Sequence, residues 1–184
     1  FASLEYTGYT CSQFNDIFGF FLSGPGINGP FSNNAINLAL VPENEAQTSF
    51  TDSPVIINTI NSGTPSGGDS TPCDDIDPNW QDYSVFFNSN PNQDQINFNG
   101  FTVPLIATAS VVPCETYHIK LAIADVSDGI LNSGVFLSEN IFISIGISVN
   151  QESEYSPYVG NDSTLVEGCM NGEIVFELTD VINT

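Results

Sequence analysis

Carboxylates and amides gather at three places along this chain, each with a spacing suited to oxygen-based chemistry. Glu5 is followed ten residues later by Asn15-Asp16, at the entrance to an apolar run. Asp125-Val126-Ser127-Asp128-Gly129 closes another apolar run, with Asn132-Ser133 behind it. Asp74-Asp75-Ile76-Asp77 lies within a long polar stretch. Calcium takes six to eight oxygens at about 2.3–2.6 Å from carboxylates, amides and backbone carbonyls. A loop spaced D-x-x-D-G-x-x-N can curl such oxygens inward, with Gly129 relieving the turn. The spacing is not that of an EF-hand, and Asp and Asn also form ordinary turns by capping backbone N–H groups.

Other chemistries find less to work with. His118 is the only histidine, no nucleophile motif surrounds it, and Gly-x-Ser-x-Gly is absent. Paired carboxylates can hydrolyse glycosides when about 5–9 Å apart with one pKa raised. No apolar pocket that would raise one is legible, so the chain reads as a non-enzyme. Trp80, Tyr83, Tyr6 and Tyr9 are the aromatics in or beside loops. Trp80 and Tyr83, with Asp74, Asp75 and Asp77, form a candidate ligand surface; against it, Trp80 can simply plug one end of the core. Cys11, Cys73, Cys114 and Cys169 lack zinc-ligand spacing. They allow three disulfide pairings, among which the sequence does not choose.

The elements that must position these groups belong to an unusual composition. The chain has 184 residues, 41% apolar and 11% aromatic, enough to bury a core. Lys120 is the sole Lys or Arg against 22 Asp and Glu, giving a net charge of −21. One cation cannot neutralise phosphates, so nucleic acid and anionic membrane are excluded as partners. Nor can the carboxylates be paired internally; they must be spread, screened or bound to cations. Abundant Phe, Ile and Val argue against disorder, and the Asn-, Ser- and Thr-rich composition fits an extracellular setting where disulfides persist. No signal peptide or transmembrane stretch is visible, and Phe1 reads as mid-strand, so an upstream strand is expected.

Short apolar runs broken by Gly, Pro, Asn and Asp predict strands. They fall at Phe1–Tyr6, Ile17–Leu22, Ile36–Val41, Val55–Ile60, Tyr83–Phe87, Phe101–Ser110, Tyr117–Ala124, Gly134–Leu137, Ile141–Val149 and Glu173–Leu178. In Tyr117–Ala124, Tyr117, Ile119, Leu121 and Ile123 alternate with His118, Lys120, Ala122 and Ala124, the mark of a strand with one face in a core. A short helix is expected within Asp77–Asn88, opened by Pro78. The whole predicts an all-β chain: a two-sheet antiparallel β-sandwich of jelly-roll, lectin-like type with long polar loops at 61–82 and 88–99. A composition shift at 151–161 divides it into a main unit, 1–160, and a segment, 161–184, too short to fold alone. That segment either packs on the main unit or opens a following β module.

Several runs carry a resemblance. Phe1-Ala2-Ser3-Leu4-Glu5-Tyr6 and Cys11-Ser12-Gln13-Phe14-Asn15-Asp16-Ile17-Phe18-Gly19-Phe20-Phe21-Leu22-Ser23-Gly24-Pro25-Gly26 resemble the choice-of-anchor L domain. So do Ile76-Asp77-Pro78-Asn79-Trp80, Gly100-Phe101-Thr102-Val103, Thr116 through Asp125, and Ser133-Gly134-Val135-Phe136-Leu137, with coverage from residue 1 to about 145. The resemblance implies a module of large surface or secreted proteins of the Bacteroidetes type, exported by the type IX system and associated with adhesion and gliding. Two positions depart from it: Leu4 stands where an acidic residue usually precedes the Glu, and Asn132 stands where related domains carry Asp. Spacing and resemblance together predict a calcium site in which Glu5, Asn15 and Asp16 meet Asp125, Asp128 and Asn132. Glu5 and Asp125 at opposite ends of the fold would contradict it. Asp74, Asp75 and Asp77 are a second candidate, opposed by helix capping at Asp77-Pro78.

The expected function is a calcium-stabilised adhesion module on the bacterial cell surface, within a longer multidomain chain. A carbohydrate-binding module and a structural subunit of a surface fibre are the alternatives. The partner is a surface glycan or protein, or a neighbouring domain.

Overall fold

Alternation along 117–124 decides the centre of the fold, because a strand with one apolar face needs a partner that shares it. A computed structural model describes residues 1–138 except 113, together with strands at 147–148, 164–166 and 172–178. The first seven strands are β1 (Ala2–Ser3), β2 (Ile17–Ser23), β3 (Ile36–Asn37), β4 (Leu40–Pro42), β5 (Phe50–Pro54), β6 (Phe87–Ser89) and β7 (Gly100–Thr102). Five follow: β8 (Tyr117–Ala124), β9 (Ser133–Phe136), β10 (Ile147–Ser148), β11 (Thr164–Val166) and β12 (Gly172–Leu178). A short helix, α1 (Thr71–Asp74), and a 3-10 helix at Trp80–Phe86 complete the main elements.

The described chain is mostly β, and its strands pair antiparallel throughout. One five-stranded sheet runs β11-β9-β1-β7-β6, another β10-β12-β8-β2-β3, and β4 and β5 form a separate pair. β2 and β8 pair along their whole shared length, from Ile17↔Ala124 to Ser23↔His118. Their inward residues Phe18, Phe20, Leu22, Tyr117, Ile119 and Leu121 join Val135 of β9 and Trp80, Tyr83 and Phe86 in one buried cluster. Both sheets therefore feed the same core. β11 and β12, which lie beyond the composition shift, pair with β9 and β8. The shift itself, at 151–161, falls outside the described residues, as does most of the strand expected at 141–149.

Several expected strands are shorter or different. Phe1–Tyr6 keeps only Ala2–Ser3 as strand, because the chain then turns, with the Tyr9 N–H donating to the Glu5 carbonyl at 3.0 Å. Ile36–Val41 splits where the Asn37 side chain accepts from the N–H groups of Phe20 and Ala39. Val55–Ile60 is a buried turn whose single β-bridge to β2 is Ile17↔Ile56. Its Thr59 hydroxyl donates to the Pro54 carbonyl at 2.7 Å, a side-chain bond that competes with a strand ladder. Tyr83–Phe87 is mostly 3-10 helix, and Phe101–Ser110 leaves the sheet after Thr102, just before Pro104. β5, by contrast, forms where no strand was expected.

Of the three possible cysteine pairings, the structure contains the bond between Cys11 and Cys73. Cys114 is an exposed free thiol, and Cys169 lies outside the described residues.

Candidate metal centre

Strand register explains why residues distant in sequence meet. The β2–β8 ladder ends at Ile17↔Ala124, so the next step places Asp16 opposite Asp125. In the other sheet, β1 and β9 set Ser3 opposite Ser133. Both serine hydroxyls donate to Asp16 Oδ2, at 3.3 and 2.5 Å, linking the two sheets through one carboxylate oxygen. Just past β1, the Glu5 N–H donates to Ser3 Oγ at 2.9 Å, which holds Glu5 over the same spot. One carboxylate oxygen from each of Glu5, Asp16 and Asp125 then lies within 4.8 Å of the other two.

The electrostatics of this arrangement are unfavourable by themselves. Glu5 is 1% exposed and Asp16 is fully buried. Like charges directly opposite one another destabilise a strand pair. Asp16 Oδ1 and Asp125 Oδ1 are buried and accept no hydrogen bond. Burial and the adjacent Asp125 carboxylate push Asp16 up to about 6, against the lowering effect of the Ser133 hydroxyl. Beside it, Tyr6 is wholly buried with no partner for its hydroxyl. Burial, with the charge of Asp16, pushes that phenol far above its ordinary range. Lys120, the only Lys or Arg, is exposed on β8 and contributes nothing here. A hard divalent cation fits this donor set: three carboxylates with hydroxyls behind them and no thiolate or imidazole.

Glu5, Asp16 and Asp125 thus come together, and the other three expected ligands lie around them in different uses. Asn15 Oδ1 accepts from the Asn58 N–H at 2.9 Å. Asp128 Oδ1 accepts from the Ile130 N–H at 3.1 Å, an ordinary turn cap, and Asp128 is not part of the close carboxylate group. Asn132 is exposed, and its carbonyl accepts from the Leu4 N–H at 3.0 Å. The turn does not use Gly129 for its unusual dihedral: Ser127 carries φ 83°, with its hydroxyl donating to the Gln13 carbonyl at 2.9 Å. A Cβ at Gly129 would instead lie 3.5 Å from Asp125 Oδ2.

The second cluster forms an internal hydrogen-bonded unit. Asp74 accepts from Ser70 Oγ and from the Trp80 indole N–H at 2.7 and 2.8 Å. Asp77 accepts from Ser53 Oγ, the Tyr83 hydroxyl and the Asn79 N–H at 2.5, 2.9 and 2.9 Å. Burial raises the Asp77 pKa, yet these donors outweigh it and hold the carboxyl below its ordinary 3.8. Asp75 is exposed at the C-terminal end of α1. Trp80 and Tyr83 are 1% and 7% exposed, so their ring faces belong to the core. The Asp77 carboxylate closes a turn onto the Asn79 N–H just ahead of the 3-10 helix, whose N-cap residue, Asn79, makes no side-chain cap of its own. The helix cap expected at Asp77-Pro78 takes the form of that turn instead.

Ser3 and Asn58 matter to the site and were not singled out from sequence. A lone Ser between Ala2 and Leu4 in an apolar run was the available signal for Ser3. Asn58 sits inside Val55–Ile60, where an amide beside Thr59 in a mostly apolar run gave a similar hint.

The model of one family, the choice-of-anchor L domain, matches residues 1–143. The chain belongs to the choice-of-anchor L family. No curated protein and no solved structure matches it. Membership of this family implies a module of a cell-surface or secreted protein. Among the described residues no helix is long and apolar enough to cross a membrane.

Proposed function

We propose that this choice-of-anchor L domain is an adhesion module of a larger surface protein, and that calcium completes its fold. The supporting observation is the trio Glu5, Asp16 and Asp125, in which two buried carboxylate oxygens have no donor and no basic side chain is at hand. An acidic cluster alone would be ordinary; a fully buried Asp16 with an unsatisfied oxygen is costly unless a cation supplies the missing charge. Each ligand would have its own origin: Glu5 from the turn after β1, Asp16 from the start of β2, Asp125 from the end of β8. A cation there would tie the two sheets at one end, as the layers of a sandwich.

In this reading the metal is structural. The protein partner or glycan is met elsewhere on the surface, and Trp80 and Tyr83 are not its platform because their rings are buried. Export through the type IX route and a place in a gliding or fibre-forming assembly are the wider setting proposed for the parent protein.

Isothermal titration of the chelator-treated chain with calcium chloride tests the metal. One bound ion per chain is expected, with Asp125→Ala abolishing the heat. A wild-type chain that takes up no calcium at millimolar concentration would refute the reading.

A further inference from the structure

Glu5 and Asp16 sit at the two ends of a single irregular segment, residues 6–15, that contains neither strand nor helix. Its shape is imposed from outside. The Cys11 N–H donates to Asn58 Oδ1, Asn58 Nδ2 donates to the Ser12 carbonyl, and the Asn58 N–H donates to Asn15 Oδ1, each at 2.9 Å. Ser66 donates to the Thr10 carbonyl through both its N–H and its hydroxyl, at 3.1 and 3.0 Å. The one covalent restraint is the disulfide from Cys11 to Cys73, a fully buried residue of α1 that lies 62 positions away. Thr7 and Cys11 hold φ of 71° and 57°, conformations that residues with a Cβ keep only where their surroundings over-determine them.

We infer that the Cys11–Cys73 disulfide and the cation site are thermodynamically coupled, each favouring the other through the 6–15 turn. This rests on the cation reading above and adds to it a redox control. With the disulfide closed, the turn holds Glu5 and Asp16 at ligand spacing, and the cation meets a prepared site. With it open, the turn relaxes and the cation must order it again, which weakens binding. Linkage makes the effect reciprocal: a bound cation gathers Glu5 and Asp16, holds the turn, and protects the disulfide from reduction by the same factor. In closing, the two thiols give two electrons and two protons to a disulfide-bearing oxidant, which leaves as a dithiol. A reducing cytosol keeps the thiols open. The module therefore completes this end of its fold only after export, where oxidant and calcium are both present.

The test compares calcium affinity, by calorimetric titration of the full chain, in three forms: oxidised, reduced with dithiothreitol, and Cys11→Ser/Cys73→Ser. Reduction and the double variant are expected to weaken binding by about tenfold or more while far-UV circular dichroism at saturating calcium stays unchanged. Alkylation and peptide mass spectrometry then follow the Cys11–Cys73 bond in a dithiothreitol redox buffer. Calcium should raise its oxidised fraction in the wild type and leave it unmoved in Asp125→Ala. Asn58→Ala keeps the disulfide but removes the bracing of the same turn, and it too should weaken calcium binding, even if the cysteine variant fails to fold. Equal affinity in the oxidised and reduced forms would overturn the coupling and leave the cation site standing. No calcium uptake by the oxidised chain would remove both.

Discussion

Asp16 is fully buried, receives two serine hydroxyls on one oxygen, and leaves the other without a donor opposite Asp125. Without a cation this is a place of like-charge repulsion. Asp16→Asn keeps an oxygen for Ser3 and Ser133 and removes the charge. In chelator it should therefore raise the melting temperature, by about 1–2 kcal/mol of stability, while losing any response to calcium. A lower melting temperature in chelator would mean that Asp16 is satisfied as it stands. Asp77 is the opposite case, a carboxylate satisfied by three donors and held below 3.8 in the fold. A depressed folded pKa gives stability that is present above the unfolded value and is lost as pH falls through the folded one. Asp77→Asn should cost roughly 1–3 kcal/mol at neutral pH, and the gap to wild type should close below pH 3.8 in urea titrations. At this scale the sequence was informative where an acid stands one residue outside an apolar run, as Asp16 and Asp125 do. It was silent on which neighbouring amides cap turns, since Asn15 and Asp128 have the same composition as ligands and are bound to backbone N–H groups.

Alternation identified β8, which shows one apolar face over eight residues, while β2 was marked by a short apolar run. Leu121 sits in the centre of that pairing at 3% exposure, and Leu121→Ala should cost about 2–5 kcal/mol in chemical unfolding. A cost under 1 kcal/mol would mean that the β2–β8 ladder is not the core described. Val55–Ile60 misled for a physical reason: a run of apolar residues reports burial, not geometry, and Thr59 and Asn58 bend it by bonding to nearby backbone. Trp80–Phe86 was similarly ambiguous, and the turn that Asp77 closes onto the Asn79 N–H, rather than an apolar period, precedes its helical start. The pairing of β1 with β9, which brings Ser3 to Ser133, was beyond reach because two-residue strands carry no period at all. The site was therefore legible as a list of acids, and the sheet that closes it was not.

For the whole molecule, a charge of −21 with one basic side chain means that every carboxylate repels its neighbours at low ionic strength. Sodium chloride should raise the melting temperature of the calcium-free chain as the Debye length shrinks to about 10 Å at 0.1 M. A chain indifferent to salt would show that its acids are too dispersed to matter. Calcium acts differently, at one end and at far lower concentration, by binding the native state alone. The most direct test of the account is thermal unfolding of the oxidised chain in chelator and in millimolar calcium, beside Asp125→Ala. A hundred-fold excess over the dissociation constant adds about 2.7 kcal/mol, or roughly 5–10 °C for a chain of this size. The account predicts that rise in the wild type and none in the variant. Equal melting temperatures with and without calcium in the wild type would contradict it, leaving Glu5, Asp16 and Asp125 as a buried acidic contact with no ion to explain it.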